Sequence, residues 1–582
     1  MKTATLVGVG ILSSMLSAAT IAAPPQITSF SPTSGPVGTI VTIAGSDFNT
    51  TASNNVVFFG ATSGTVMSAS STSLTVSVPV GASYAPMSVT DTTTGLTAYS
   101  SGPFIVTFPG GGSITASSFA NPIDFSTAFN PYFVAVADID GDGKPDVVIA
   151  ERGGLVSIFR NTSTIGSISL ANRVDFAEGG TPHNIRIGDI DGDGRPDLVV
   201  PTDSMISVFR NTSTSGSISL ASRVDFKTAY NTTDVAIGDV DGDGRPDLVA
   251  SAITPGSISV LRNTSTRGSI SMASRIEFGT DSTWSPSEVA LADIDGDGKP
   301  DVVVVTILIQ WSRRISVLRN TSTSGSLSFA DKVDHSMPTY VESSPSGLRI
   351  ADLDDDGKPD LIVASPGGDR IMAFRNTSTS GSISWLLQDS CLLPISSNPN
   401  FTAVADVDGD GQPDLAATTD YSSVSIIRNT SANGNMSFAS PVSFAAGLGP
   451  KDIAIVDIDG DGAPDIVVPH WDSGVSLLRN TVMPDAVPDI GSKIPTRFDL
   501  SQNYPNPFNP TTNIRFTIVN RQLTIVKVYD VLGREVATLV DEVKEPGTYT
   551  VQFSGSGLAS GVYFYKLTAG NYLATHTMIL MR

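Results

Sequence analysis

A nine-residue acidic loop, DIDGDGKPD at Asp138–Asp146, occurs seven times in this chain. The copies open at Asp138, Asp189, Asp239, Asp293, Asp352, Asp406 and Asp457, so the unit recurs every 50 to 59 residues. Six fit D-[IV]-D-G-D-G-x-P-D; the fifth, DLDDDGKPD, has Leu353 at the second place and Asp355 at the fourth. Repeats of this period specify propeller blades or a similar array, because one unit cannot bury its apolar face alone.

Each loop carries aspartate at places 1, 3, 5 and 9. Place 3 is Asp140, Asp191, Asp241, Asp295, Asp354, Asp408 and Asp459; place 5 is Asp142, Asp193, Asp243, Asp297, Asp356, Asp410 and Asp461. Place 9 is Asp146, Asp197, Asp247, Asp301, Asp360, Asp414 and Asp465. Four carboxylates so close together repel one another unless a hard divalent cation gathers them, and calcium accepts about six to eight oxygen ligands in flexible geometry. Place 7 varies (Lys144, Arg195, Arg245, Lys299, Lys358, Gln412, Ala463), which suits a ligand that offers only its backbone carbonyl. Glycines at places 4 and 6 let the chain curl, and the proline at place 8 leads it into an extended segment. The EF-hand opens alike but needs a glutamate at place 12 between helices. Here place 12 of the first loop is Ile149, and the flanks VAVAD and DVVIA read as strands. The spacing therefore points to calcium in a hairpin loop, about seven ions in all, against Asp-Gly turns that hold no metal.

These loops resemble the FG-GAP/VCBS repeats of integrin α-subunit propellers and many bacterial surface proteins, over roughly residues 116–483. The resemblance implies a β-propeller with a calcium in the first hairpin loop of each blade. It also implies that the metal loops share one face of the ring, opposite the connections after the second and fourth strands. Asp355 is the one departure at a ligand-bearing turn, where loss of glycine strains the backbone and adds a charge.

The strands read the same way in each unit. An alternating strand enters the loop (VAVAD, IRIGD, VAIGD), and a continuous apolar one leaves it (DVVIA, DLVVP, DLVAS), as burial on both faces requires. A third ends in Arg-Asn, as in SIFRN and SLLRN, and a fourth is marked by RVDF at Arg173–Phe176 and Arg223–Phe226. The fold class expected is all-β: a seven-bladed propeller flanked by two Ig-like β-sandwich domains. The last unit lacks an RVDF strand, and PIDF at Pro122–Phe125 precedes the first unit. That segment is expected to supply the outer strand of the final blade and close the ring.

The formal net charge is −22, and the ligand places of the loops hold 28 of the 57 acidic residues, so the surplus is metal-site charge rather than an acidic surface. With no basic cluster, the balance argues against nucleic acid as a partner. Residues 1–22 resemble a secretory signal peptide, and no later run is long and apolar enough to span a bilayer. Cys391 is the single cysteine, so no disulfide forms within the chain.

Residues 25–109 resemble an IPT/TIG Ig-like domain through ITSFSPTSGPVGTIVTIAGSDF (Ile27–Phe48), VVFFG and TSLTVSVP, which implies a spacer or adhesive module. A glycine-rich linker covers 110–115, and a second linker spans 484–496. Residues 497–582 resemble the C-terminal sorting domain of type IX secretion cargo, through FDLSQNYPNPFNPTTNIRF, VYDVLGREVATL and GLASGVYFYKL in order. That resemblance implies export through the periplasm and release or attachment at the outer-membrane surface, with the type IX machinery as partner.

Aromatic and histidine residues mark where a ligand would sit. Trp311 and Trp471 follow second strands, Trp284 precedes a first strand, and Trp385 falls elsewhere. His470 adjoins Trp471, His183 precedes IRIGD, and Tyr132, Tyr230 and Tyr340 occupy comparable connections. Aromatic faces with polar neighbours suit a sugar ring or a protein partner. No zinc, P-loop, G-x-S-x-G or Cys–His arrangement appears. The reading is a non-catalytic module that binds glycan or protein. A polysaccharide lyase using His183 or His470, and a purely structural surface component, are the alternatives.

Overall fold

The computed structural model describes residues 23–482 and 498–580, except 111–112, 255, 281–283, 309–312, 339–344, 393–397, 433, 473, 501–502, 504–505, 507, 509, 545–546 and 571. The described residues are strands and turns, with a single 3-10 turn at Ala52–Asn54. The chain divides into two compact units, residues 1–485 and 486–582.

In the first unit, seven four-stranded antiparallel sheets follow the Ig-like segment. Each begins with the strand that enters an acidic loop and continues with the strand that leaves it, as in Pro131–Ala137 against Asp146–Glu151. Leaving strands such as Asp146–Glu151 and Asp465–His470 are buried along their whole length, while that of the third blade, Asp247–Thr254, is buried up to its last two residues. Their unbroken apolar runs follow from this position, sandwiched between two neighbouring sheets. Core clusters bridge successive sheets: Val134, Val147 and Ile149 pack with Val456, Val467 and Leu477, joining the first sheet to the last. The repeated sheets are propeller blades, and the chain returns to its starting point.

Closure takes the expected route. Ile123–Ser126 pairs antiparallel with Gly474–Leu478 as the outermost strand of the final sheet. Its Asp124 accepts a hydrogen bond from Ser476 Oγ at 2.6 Å, as Asp175 and Asp225 accept from Ser157 and Ser207 in their blades. The aspartate of the RVDF pattern thus clasps the third strand, and PIDF supplies the same clasp from the other end of the ring.

The Ig-like segment forms a seven-stranded arrangement around Val41, Ile43, Phe59, Leu74, Val76 and Phe104. It does not stand off as a spacer. Thr97 donates its backbone N–H to Gly244 O at 2.7 Å, and Phe108 joins the core of the sixth and seventh blades. The second unit encloses one core between two sheets, with Ile514 and Phe516 facing Val526, Val528 and Tyr565. Its first block is tied down by asparagines. Asn503 donates its backbone N–H to Tyr565 Oη at 2.8 Å, and Asn506 Oδ1 accepts from Ile579 N–H at 2.8 Å.

Candidate metal centres and the opposite face

The acidic loops share one backbone shape. Places 4 and 6 lie at positive φ, as at Gly141 (71°) and Gly143 (87°). Asp355 adopts the same region at 58°, so the fifth loop keeps the turn with a residue that tolerates it less well than glycine. Within the first loop, Asp138 accepts the N–H groups of Asp142 and Gly143, and Asp142 accepts that of Lys144. These bonds curl the chain so that the carboxylates converge.

Three carboxylates come within 4.8 Å of one another in each of several loops. The trios are Asp138/Asp140/Asp146, Asp189/Asp191/Asp197 and Asp239/Asp241/Asp247 in the first three loops, and Asp293/Asp295/Asp297 and Asp352/Asp354/Asp356 in the next two. Two further groups of this kind exist among the described residues. Burial pushes Asp146 and Asp247 up to about 8, and Asp189, Asp406 and Asp457 up to about 7, with neighbouring carboxylates adding to the rise. Asp354 Oδ1 is buried with no hydrogen-bond partner. An all-oxygen donor set, desolvated carboxylates and an orphaned oxygen fit a hard divalent cation.

Place 9 has a second duty. Both oxygens of Asp146 accept backbone N–H groups, one from Asn161 at 2.8 Å and one from Ile139 at 3.0 Å. The repeated Asn of Arg-Asn-Thr-Ser is the other half of this device. Asn161 Nδ2 donates to Pro145 O in its own loop and to Ile458 O in the loop of the last blade. Asn211, Asn263, Asn320, Asn376, Asn429 and Asn480 each make the matching bond to place 2 of the preceding loop. Seven buried carboxamides therefore stitch every blade to its neighbour. Taken alone, Asn-Thr-Ser describes a polar turn; the recurrence of its asparagine after each acidic loop is the signal that it belongs to the same device.

The preceding arginine was also missed as a participant. Arg375 and Arg479 bind place 3 at 2.6 Å (Asp354 and Asp459), and Arg428 pairs with Asp408 and, at 2.7 Å, with Asp410. In the first two and the fourth loops the contacts of Arg160, Arg210 and Arg319 are looser, between 3.5 and 4.0 Å. With Arg262, which pairs with Asp241 at 3.2 Å, seven arginines thus share the work of offsetting loop charge with any bound ion. The varied place 7 has its own use: Lys144, Lys299 and Lys358 reach a serine carbonyl of the following turn.

The Ig-like segment packs against part of this acidic face. The glycines at place 4 of the second loop and place 6 of the third are packed against it, Gly192 on Gly95 and Gly244 on Pro24 and Leu96. Tyr84 packs beside Leu353, and burial together with Asp352 and Asp360 pushes its hydroxyl up. Tyr99 is pushed up by burial and by Asp239, Asp189 and Asp247. A small cavity between the two parts is lined by Tyr84, Val106, Asp406 and Asp457.

The opposite face brings together some of the aromatic residues singled out in the sequence. Trp471 is 58% exposed, and Lys451 Nζ stands 4.3 Å from the centre of its ring and 5.5 Å from that of Tyr132. Arg152 lies 3.9 Å over Tyr132. His470 is buried beneath Trp471, against Gly447 and Gly474, with Nδ1 bonded to Asp472. His183 sits apart in the second blade, bonded to Asp203 at 2.8 Å, and Tyr230 is exposed in the third. Trp385 is buried between the fourth and fifth blades. Trp311, Tyr340 and the side chain of Trp284 lie outside the described residues.

The FG-GAP-like repeat family matches residues 138–200, 189–250, 248–304, 352–417 and 406–468. The IPT/TIG domain family matches 25–108, and the secretion system C-terminal sorting domain matches 502–581. No curated protein matches the chain. Among solved structures, BBS1N in complex with ARL6DN is 15% identical, covers 63% of this chain and 98% of its own, and superposes with a TM-score of 0.43. Auxiliary nutrient binding proteins from Bacteroides thetaiotaomicron and Bacteroides ovatus are each 12% identical. Each covers 78% of this chain and 97% of its own, with TM-scores of 0.32 and 0.33.

Proposed function

We propose that this chain, which carries FG-GAP-like repeats between an IPT/TIG domain and a type IX sorting domain, is a surface-displayed binding module on a calcium-loaded, seven-bladed ring. The sorting domain directs export to the outer-membrane surface or the medium. About seven calcium ions, one per blade, would be held by the aspartates at places 1, 3, 5 and 9, with the carbonyl of place 7. Bound calcium supplies charge neutralisation and no reaction chemistry.

One observation carries this division of labour: part of the acidic face is packed beneath the Ig-like segment, whereas the opposite face presents Trp471 to solvent beside two cations. Residues already committed to holding the blades together, and in part roofed over, are poorly placed to meet a ligand. The exposed aromatic face is well placed to stack on a sugar or a partner's side chain. Neither histidine singled out in the sequence is presented beside it, since His470 is buried and His183 belongs to another blade. The reading is therefore binding of a glycan or protein ligand without turnover.

A glycan array and a protein-capture screen with the full chain in calcium, followed by a product assay on every saccharide retained, test it. Retention with no new reducing ends and no unsaturated uronate is expected. Release of either product would replace the module with an enzyme.

A further inference from the structure

Three successive loops on the open face are laced into one surface. Gly449 donates its N–H to Tyr421 O at 2.8 Å, Trp471 donates to Leu448 O at 2.9 Å, and Lys451 donates to Pro469 O at 2.9 Å. Asp452 N–H then bonds Tyr132 O at 3.2 Å, which ties the last blade to the first. On this base Tyr421, Leu448 and Trp471 are each more than half exposed. Large apolar groups held side by side in water by backbone bonds form a platform, not a stray contact.

The two cations beside the platform are unusual in this chain. Acidic residues outnumber basic ones 57 to 35, and the arginine of every third strand pairs with loop carboxylates. Lys451 and Arg152 have no carboxylate within ion-pair distance among the described residues, and both lie against the ring of Tyr132. The nearby acids are committed elsewhere. Asp452 accepts from Val134 and Ile453 and faces Arg349, Asp472 pairs with His470, and Asp420 accepts from Asn400. Lys451 is 9% exposed; its burial disfavours the ammonium, the charge of Asp420 partly opposes this, and that of Arg152 adds to it. Cation–π contacts with Trp471 and Tyr132 hold that charge in place but do not neutralise it.

We propose that this platform binds an acidic sugar, with a pyranose face on Trp471 and its carboxylate or sulfate paired with Lys451, Arg152 adding a second positive charge. The inference rests on the ligand-binding reading above and specifies its ligand. A neutral sugar would use the stacking surface and leave both cations unmatched. A long polyanion that relied on charge alone would be repelled by a chain that stays net negative even with calcium in its loops. An acidic saccharide uses stacking and charge together, and its affinity falls with added salt.

Calorimetric titration of the full chain in calcium tests this with polygalacturonate, a sulfated galactan and a neutral β-glucan. Binding of at least one acidic polymer about tenfold tighter than the neutral one is expected, and which acidic polymer binds separates carboxylate from sulfate. Trp471→Ala and Lys451→Met should each weaken that binding about tenfold or more, and the exposed Arg152→Gln about threefold. Melting temperatures in calcium check that each variant is folded, and Arg152→Gln serves if the others lose stability. Unchanged affinity in both cation variants overturns the proposal, as does failure of both acidic polymers to bind. Retention of the neutral glucan alone also overturns it, yet leaves the binding-module reading standing.

Discussion

The two faces of the ring are made of the same strands and differ in kind. On the acidic face each blade repeats one device: a curled aspartate loop, an arginine across it, and an asparagine that reaches into the neighbouring loop. On the opposite face, among the described residues, the exposed Trp471 with its lysine and arginine occurs once. Chemistry copied into every blade serves what every blade needs, which is to keep hold of its neighbours. Chemistry present once is free to serve a ligand. The Ig-like segment sharpens the contrast, because it packs against the repeated face at several loops, Gly192 and Gly244 among them.

The largest break in that comparison is removal of metal. EDTA should lower the melting temperature by more than about 10 °C, because each ion bound only by the folded state contributes on the order of 2–3 kcal/mol at a hundredfold excess over its dissociation constant. The pH dependence in EDTA follows from the buried aspartates. Asp146 rises to about 8 in the folded chain, above an unfolded value near 4, so the folded state binds more protons than the unfolded one. Stability without metal is thus greatest at acid pH and is lost progressively as pH rises from about 4 through about 8; with calcium the loss should vanish. Unaltered melting in EDTA at pH 8 would mean that the arginines alone balance the loops.

Next in size is the stitch. Asn161 joins the first blade to the last and makes three buried side-chain bonds, to Pro145 O, Ile458 O and Ser163 N–H. Asn161→Ala should cost about 2–4 kcal/mol in urea unfolding, since the stranded carbonyls find no other donor. Removing the closing strand Ile123–Ser126 should lower the melting point further, because it takes a whole ladder from the final sheet. Equal stability after that removal would show that the ring is held by its inner strands alone.

A matched pair isolates the roof over the acidic face. Gly141 and Gly192 occupy the same place in their loops with φ of 71° and 70°. A Cβ at Gly141 meets open space, whereas at Gly192 it would stand 2.4 Å from Gly95 Cα. Alanine at Gly141 should cost only the backbone strain, about 1 kcal/mol. Alanine at Gly192 should cost about 2 kcal/mol more and quicken calcium release from the second loop, as measured by chelator-dye exchange. Equal effects would mean that the segment does not press on this loop in solution.

Much of this was legible before any coordinates. The acidic loops, the four strands per unit and the origin of the closing strand follow from period, alternation and a missing RVDF. Local patterns of that kind are written in neighbouring residues. The stitch was harder to read, because Asn161 meets Ile458 across the whole ring and the pattern Asn-Thr-Ser also describes an ordinary turn. The docked Ig-like segment left no periodic trace, since it touches the ring through scattered residues such as Gly95, Tyr84 and Phe108. On the open face the tryptophans drew notice by rarity alone. Lys451 and Arg152 went unremarked because an unpaired cation is defined by what does not face it, and that is a property of space rather than of sequence.

The smallest test lies within the repeated face, at its one irregular loop. Asp355 holds a positive φ of 58° where the other loops have glycine, and its side chain adds charge beside Asp354 and Asp356. Asp355→Gly relieves the backbone and the repulsion, but glycine also gains freedom in the unfolded chain, so the two effects partly offset. Because residue 355 is exposed, solvent screens most of the charge effect. The expected result is a gain of about 0.5 kcal/mol in EDTA, read by urea unfolding. In calcium the gain should shrink, because an ion in this loop draws stabilisation from the same carboxylate that destabilises it when empty. A larger gain in calcium than in EDTA would mean that Asp355 hinders metal uptake, and that the fifth loop departs from its six relatives in function as well as in sequence.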